Sequence, residues 1–491
     1  MTHKQSVISW PIVIVILLLF IKVEAQQSTW EYILRTPYID EEPLDMVLGI
    51  DGSIYVGGRS LVLGREYPYK SLVFKLDEQG SFIDSIHFSL PYKWTALTQI
   101  IPGSSDNFVL LSTFRDLSPP YSNGGLLMNA MNSDLEFTNQ AIFWADTNHQ
   151  VMSGIGCKES NGNLFINFAV TEPVSYIKSY LIETDSNFNI IKQKFLTDFP
   201  KAYLHLKKLE NNAYWGLNLY SNKYEIFDSA FNVVGEQKVP ERMTANFGVK
   251  WDSDTSFYLM GDYMPGNYHN LGFLRQPHYF DTTGYQFNSW GEADTLDFPA
   301  WNNGIDFRNK DSIFIGGTHN MPYALDPGQQ PVPTWFVILQ TDSMLNVRWE
   351  RFYGGNANHL MNKLIATRDG GCLIAGTRYD YINDPVPQTD IIVLKLNSEG
   401  LLVSQNELQE CLLREAIVYP NPGSTIMQVR LAVQHPKALL ELFDSQGKLV
   451  LSQQLHEKES RINTAYLPTG TYIYRLSAET GLNESGKWVK R

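Results

Sequence analysis

Residues 364–400, LIATRDGGCLIAGTRYDYINDPVPQTDIIVLKLNSEG, decide the reading of the fold. LIAT and CLIAG flank a tight Asp369-Gly370-Gly371 turn, and after a polar loop DIIVLKLN runs into a second turn at Ser398-Glu399-Gly400. Short apolar runs bounded by Gly, Asn and Asp are strands joined by hairpin turns. The stretch therefore reads as two strand pairs.

Working outward, the same unit recurs. Turn pairs followed by an apolar run stand at Asp51-Gly52, Asp106-Asn107, Asn161-Gly162, Asn211-Asn212, Ser253-Asp254, Asp311-Ser312 and Asp369-Gly370. Their spacing averages roughly 50 residues, the range of propeller repeats. Second hairpins follow at 71–85, 179–193, 335–349 and 390–404, with weaker copies at 124–140 and 222–237. A four-stranded meander cannot bury both faces alone, so neighbours must stack radially. The fold class is all-β: a β-propeller, seven blades by this count, with six or eight left open. The fifth unit is the least regular, and 255–300 is a candidate insertion. Gly57-Gly58, Gly316-Gly317 and Gly376 are expected to end second strands, through close backbone approach or positive φ. The run STWEYILRTPY is expected to pair beside the last blade.

Charge and cysteine content narrow the function. A net charge of −13, with no Lys/Arg cluster in the sequence, argues against nucleic acid as a partner. Cys157, Cys372 and Cys411 fit neither a disulfide framework nor a zinc motif, and Cys157 and Cys372 sit in strand-like runs as buried thiols. At the N-terminus, Lys4 precedes an apolar run over 7–21, and Val23-Glu24-Ala25 fits the small-residue rule for cleavage. Residues 1–25 are thus expected to be a signal peptide, with no stable membrane span after them.

The texture changes after Gly400. Residues 26–403 form the repeat region, 404–415 a linker and 416–491 a small Ig-like β-sandwich, with strands at TIMQVRLAV, ALLELFDS, KLVLSQQL, ESRINTAY, GTYIYRLSA and ESGKWVK. In order, this tail carries Tyr419-Pro420-Asn421-Pro422, ELFDSQGKLV around Gly447, Leu467-Pro468-Thr469-Gly470-Thr471-Tyr472, and a final Gly486-Lys487-Trp488-Val489-Lys490. In this it resembles the type A C-terminal sorting domain of the type IX (Por) secretion system of Bacteroidota. That resemblance implies the type IX machinery as partner, Sec passage first, and a product that is secreted or attached to the cell surface, commonly with the tail cleaved.

Chemistry is harder to read. HExxH, GxSxG, P-loop and CxxC patterns are absent from the sequence. His269, His278 and Asp281 form the one loose His/Asp group, better explained as loop histidines than as a metal site. No cofactor, metal or catalytic residue is assigned. Aromatic rings at a propeller face can stack on sugars or grip proteins; Trp94, Asn303 and Asn362 are placed at the central channel as a ligand face. The expected function is non-enzymatic binding of an extracellular carbohydrate or protein. The alternative is a secreted hydrolase or lyase acting at the channel mouth.

Overall fold

The computed structural model describes residues 28–402 and 416–491, except 64–68, 104–105, 118–122, 146–149, 160, 172–176, 198–200, 242, 267, 293–294, 322–331, 385–387, 432–434, 436, 445 and 479–481. The expected signal peptide (1–25), the expected linker (404–415) and Cys411 lie outside the described residues.

Among the described residues, seven antiparallel sheets occupy 39–88, 93–144, 150–196, 203–238, 243–290, 298–354 and 358–396. In the first six, sequence order is spatial order from the inside out. The first strands of successive sheets touch one another, and that of the seventh touches that of the first. The result is a closed β-propeller around a central channel. Every recurring turn pair joins a first strand to a second, as between Asn358–Ala366 and Cys372–Tyr379.

The last blade departs from the sequence reading. Strand Asp390–Leu396 turns at 397–400, but 401–402 form no fourth strand. Its outer edge is filled by Trp30–Leu34, antiparallel, with Tyr32 opposite Val393. An open edge presents unpaired N–H and C=O groups, and Trp30–Leu34 satisfies them in place of a local hairpin. The expected N-terminal pairing is therefore real, and it displaces the expected hairpin at 390–404.

The expected irregularity also moves. The fifth sheet is a regular four-stranded meander; the sixth has its inner strand split into Phe298–Pro299 and Ile305–Asn309. The paired glycines lie within strands Ile54–Val62, Ser312–His319 and Cys372–Tyr379 rather than at their ends. Their φ angles are not positive. Close approach is the reason for them: a Cβ at Gly57 would stand 2.6 Å from Leu97, and one at Gly316 2.6 Å from Met361, each in the next sheet.

The outer hairpins share a turn that explains their sequence. Asp185 accepts hydrogen bonds from the N–H groups of Asn187 and Asn189 and from the Asn189 amide. Asp228 and Asp342 do the same with Asn232 and Asn346. The residue before each Asn has positive φ, yet it is Phe188, Phe231 or Leu345. A left-handed residue costs about 1–2 kcal/mol, and burying its large side chain, here almost complete, returns about 1.5–3 kcal/mol.

The tail is a two-sheet sandwich. One sheet holds Ala416–Tyr419, Ile426–Leu431 and Glu459–Asn463; the other holds Leu449–Leu455, Ala438–Phe443, Gly470–Ser477 and Asn483–Lys490. Ala416–Tyr419 is a strand the sequence reading did not assign, being too short to show alternation. Leu440, Leu442, Leu476 and Trp488 fill the space between the sheets.

Ring closure is locked by a polar seam. Arg35 pairs with Asp384, and Gln388 donates to Asp390 (2.9 Å) while accepting the Tyr38 N–H. The Glu41 N–H bonds to the Thr389 carbonyl, and the Glu41 carboxyl accepts from Thr36 at 2.9 Å. Glu41 is 1% exposed. Burial, with the Asp390 carboxylate adding to it against the pull of the Thr36 bonds, pushes its carboxyl up to about 7. Glu41 therefore binds its proton more tightly folded than unfolded, where the ordinary value is 4.5. Stability should fall as pH rises from there to about 7, by up to about 1.4 kcal/mol per pH unit. Denaturant titrations across this window should show Glu41→Gln losing that slope; an unchanged slope would refute the assignment.

Candidate functional site

Two surfaces qualify, the central channel and the face that carries the second-to-third-strand loops. The channel is built by the first strands. Five of them carry a one-residue bulge, between Pro43 and Asp45, Leu97 and Gln99, Val151 and Ser153, Tyr203 and His205, and Met361 and Lys363. A bulge bends a strand, as a strand at the narrow axis must. The inner strand also has a neighbour on one side only, so its channel-side N–H groups lack ladder partners, and side chains of the neighbouring blade take them up. Asp45 accepts the Ile100 N–H (2.8 Å), Gln99 that of Gly156 (2.6 Å) and Asp306 that of Ala366 (2.8 Å).

A cavity of about 350 Å³ lies here, lined by Asp45, Gln99, Lys250, Asn303, Asp306, Arg308 and Lys363 among others. Its carboxylates are committed. Asp45 pairs with Lys363 at 2.9 Å and Asp306 with Lys250 at 2.6 Å. A general acid or base needs a carboxylate free to exchange its proton, whereas these neutralise lysines and cap backbone. Among the described residues no group of three His, Cys, Asp or Glu is arranged to hold a metal.

Of the three residues assigned to the channel, Asn303 lines the cavity and Asn362 lies beside it as the bulged residue. The Asn362 carbonyl accepts the N–H groups of Asn302 (2.9 Å) and Asn303 (3.3 Å), tying the split sixth inner strand to the seventh. Its side-chain Oδ1 is buried with no hydrogen-bond partner in the protein. Trp94 is elsewhere. It opens strand Lys93–Pro102 at the opposite, loop-bearing end.

On that face Trp94 forms an aromatic and cationic ladder. The Arg115 guanidinium lies 4.6 Å over its ring, and Tyr69 meets it edge-on at 5.5 Å. Arg59 covers Tyr69 at 4.6 Å and is held by Glu42. Nearby, Trp144 is 56% exposed, packed on Phe114 and within 5.4 Å of the Lys93 ammonium. Trp215, by contrast, fills a seam between sheets, fully buried between Tyr224, Trp251 and Phe257.

His269 and His278, read from the sequence as loop histidines, lie in two different turns. His269 Nδ1 lies 2.8 Å from Asp262, across the hairpin that joins Phe257–Tyr263 to Asn270–Gln276. His278 Nδ1 accepts the N–H groups of Phe280 and Asp281 in its own turn. A second pair, His319 with Asp297 at 2.7 Å, escaped the sequence reading because 22 residues separate its members. Rings of Trp290, Trp335 and Phe352 surround His319. Burial raises the Asp262 carboxyl against the His269 and Thr244 bonds. Burial also pushes the Cys157 and Cys372 thiols up to about 12, which makes both packing residues rather than nucleophiles.

In the tail, three of the four sequence markers converge on Trp488. Its indole N–H donates to the Pro420 carbonyl at 2.8 Å. Asn421 bonds the Lys487 carbonyl and the Val489 N–H, and Pro422 sits between it and Gly423, whose N–H reaches Val489. Gly470 pairs with Lys490, Tyr472 with Trp488, and the Tyr472 hydroxyl donates to the Pro468 carbonyl beside Leu467. Gly447 stands apart, as the positive-φ residue of the Asp444 turn.

Fold and tail together define an all-β propeller carrying a terminal export signal. Residues 417–491 are a secretion system C-terminal sorting domain, matching the family of that description; the tail implies handling by the type IX machinery and delivery to the cell surface or the medium. Among the described residues no helix is long and apolar enough to cross a membrane. The chain is similar to a catalytically inactive variant of virginiamycin B lyase from Staphylococcus aureus with quinupristin (TM-score 0.43, 12% identity, 75% of this chain and 100% of that one). It is also similar to YCF48 from Cyanidioschyzon merolae (0.42, 8%, 74% and 98%) and to a protein of unknown function from Bacteroides caccae (0.36, 9%, 57% and 90%). No curated protein matches it.

The channel ion pairs give a direct test. Lys363→Met leaves the Asp45 carboxylate buried without its cation and should cost about 3 kcal/mol in chemical denaturation. Asp45→Asn combined with Lys363→Met should recover most of that. A single-variant loss under about 1 kcal/mol would contradict the pairing.

Proposed function

We propose that the protein is an exported, non-enzymatic propeller that binds a carbohydrate outside the cell through the loop face around Trp94. The observation that carries this reading is the ladder of Tyr69, Trp94 and Trp144 with Arg59, Arg115 and Lys93. Flat rings supply stacking area for the apolar faces of sugars, and guanidinium edges donate to hydroxyls and carboxylates. Asn303 and Asn362 then belong to the channel as polar lining behind that face.

The engaged carboxylates Asp45 and Asp306 favour binding over hydrolysis. A secreted hydrolase or lyase is the second reading, favoured by the His319–Asp297 pair, since a carboxylate on Nδ1 orients an imidazole for proton transfer. In both readings residues 1–25 are the Sec signal, 26–403 the working part, 404–415 the linker and 416–491 the address.

Glycan-array binding of the full chain, with turnover assays on the same panel, separates these. Binding that drops about tenfold or more in Trp94→Ala, with no turnover, is the expected outcome; aromatic anchors in binding sites carry losses of this size. Turnover abolished by His319→Ala would install the second reading. Glycan binding unchanged in Trp94→Ala would overturn the site.

A further inference from the structure

The outer hairpin of the sixth sheet, Trp335–Thr341 with Val347–Gly354, carries cationic and aromatic groups that its own blade does not use up. Trp335 has a buried indole N–H with no acceptor in the protein. The Arg491 guanidinium, the last side chain of the tail, lies 4.1 Å over the Trp335 ring. On the adjacent strand, Arg351 lies 5.1 Å from the Trp349 ring and 5.5 Å from the ring of Tyr419 in the tail's first strand. Burial holds the Arg351 guanidinium below its ordinary range. The chain leaves the propeller at the same place: the Tyr353 hydroxyl donates to the Gly400 carbonyl and accepts the Leu402 N–H.

Tyr419 and Arg491 sit at one end of the sandwich, because the Arg491 N–H bonds to the Gly423 carbonyl and Trp488 to Pro420. This is also the end where the Pro420-Asn421-Pro422 and Lys487–Lys490 markers meet. We infer that the tail docks this marker-bearing end onto the outer hairpin of the sixth blade, with Arg491 on Trp335 and Arg351 between Trp349 and Tyr419 as the anchors. A cation over an aromatic ring is a contact of modest strength. A short tether supplies an effective concentration on the order of millimolar, so about 4 kcal/mol of contact half-populates a docked state, and two such contacts contribute about 1–2 kcal/mol of it. A receptor reading the end of the tail then competes with the propeller for the same residues. This inference concerns the tail alone and does not depend on what the Trp94 face binds.

The test is a label-to-label distance measurement in the full chain. Spin labels go on exposed cysteines introduced as Met344→Cys in the propeller and Lys458→Cys in the tail. Cys411→Ser removes the thiol in the linker, Cys157→Ser removes the half-buried one, and the buried Cys372 does not label. The parent chain should give one narrow distance distribution. Arg351→Ala with Arg491→Ala should broaden it, the docked-to-free ratio falling about tenfold, with both unfolding transitions unchanged because neither residue is in a core. A broad distribution in the parent would overturn the docking, and a narrow one in the double variant would overturn the anchors.

Discussion

Everything in this chain rests on one pairing, the antiparallel docking of Trp30–Leu34 against Asp390–Leu396. Each sheet is apolar on both faces and has no core of its own. Tyr55 and Val73 of the first sheet cluster with Leu97, Ile100 and Phe108 of the second, while Phe74 and Leu76 cluster with Leu373 and Val393 of the seventh. A ring left open would expose two such faces, one at each end, together with a row of unpaired backbone groups. By supplying the last outer strand from the start of the chain, the fold makes closure a long-range event in sequence and a local one in space. The Glu41, Gln388 and Asp390 seam stands at that joint, where the first inner strand meets the last blade.

Closure also creates the two ends of the molecule, and they are unequal. First-to-second-strand turns are short and shaped by Asx-type hydrogen bonds, as at Asp51 and Asp369. Asp369, which begins the turn of the opening stretch, is held by Lys395 at 2.7 Å; although burial works the other way, that bond and those from Thr367 and Gly371 keep its carboxyl below the usual range. It is a structural acid. The other end carries the longer connections, including 320–334 and 380–389, and with them Trp94, Trp144 and the His–Asp pairs. A rigid scaffold with longer loops gathered at one end is the usual division in such folds.

Much of this was legible in the sequence, for identifiable reasons. Turn residues act locally, so all seven recurring turn pairs fall where first and second strands join. The sorting tail was legible because its markers are short, ordered and terminal. What escaped depends on closure or on distance. The 390–404 hairpin looked complete because Leu401 and Leu402 continue the apolar pattern, and only competition from Trp30–Leu34 for the edge decides against it. Glycines at 57 and 316 pointed to close approach, but which neighbour approaches is set by the ring. Trp94, Asn303 and Asn362 all belong to first strands or their surroundings. Position along those strands, not membership, sends Trp94 to the loop face and the two asparagines to the channel. His319 and Asp297 meet only because the sixth inner strand is split.

The closure itself is the claim most open to direct measurement. Tyr32→Cys and Val393→Cys, in a chain otherwise freed of accessible thiols, place two thiols on directly opposed residues of the outer strand pair, a separation within reach of a disulfide. Oxidation should cross-link the purified protein without loss of fold and raise its melting temperature, because the bridge closes nearly the whole propeller as one loop. Failure to cross-link under oxidising conditions, in a protein that remains folded, would show that the first strand does not close the ring.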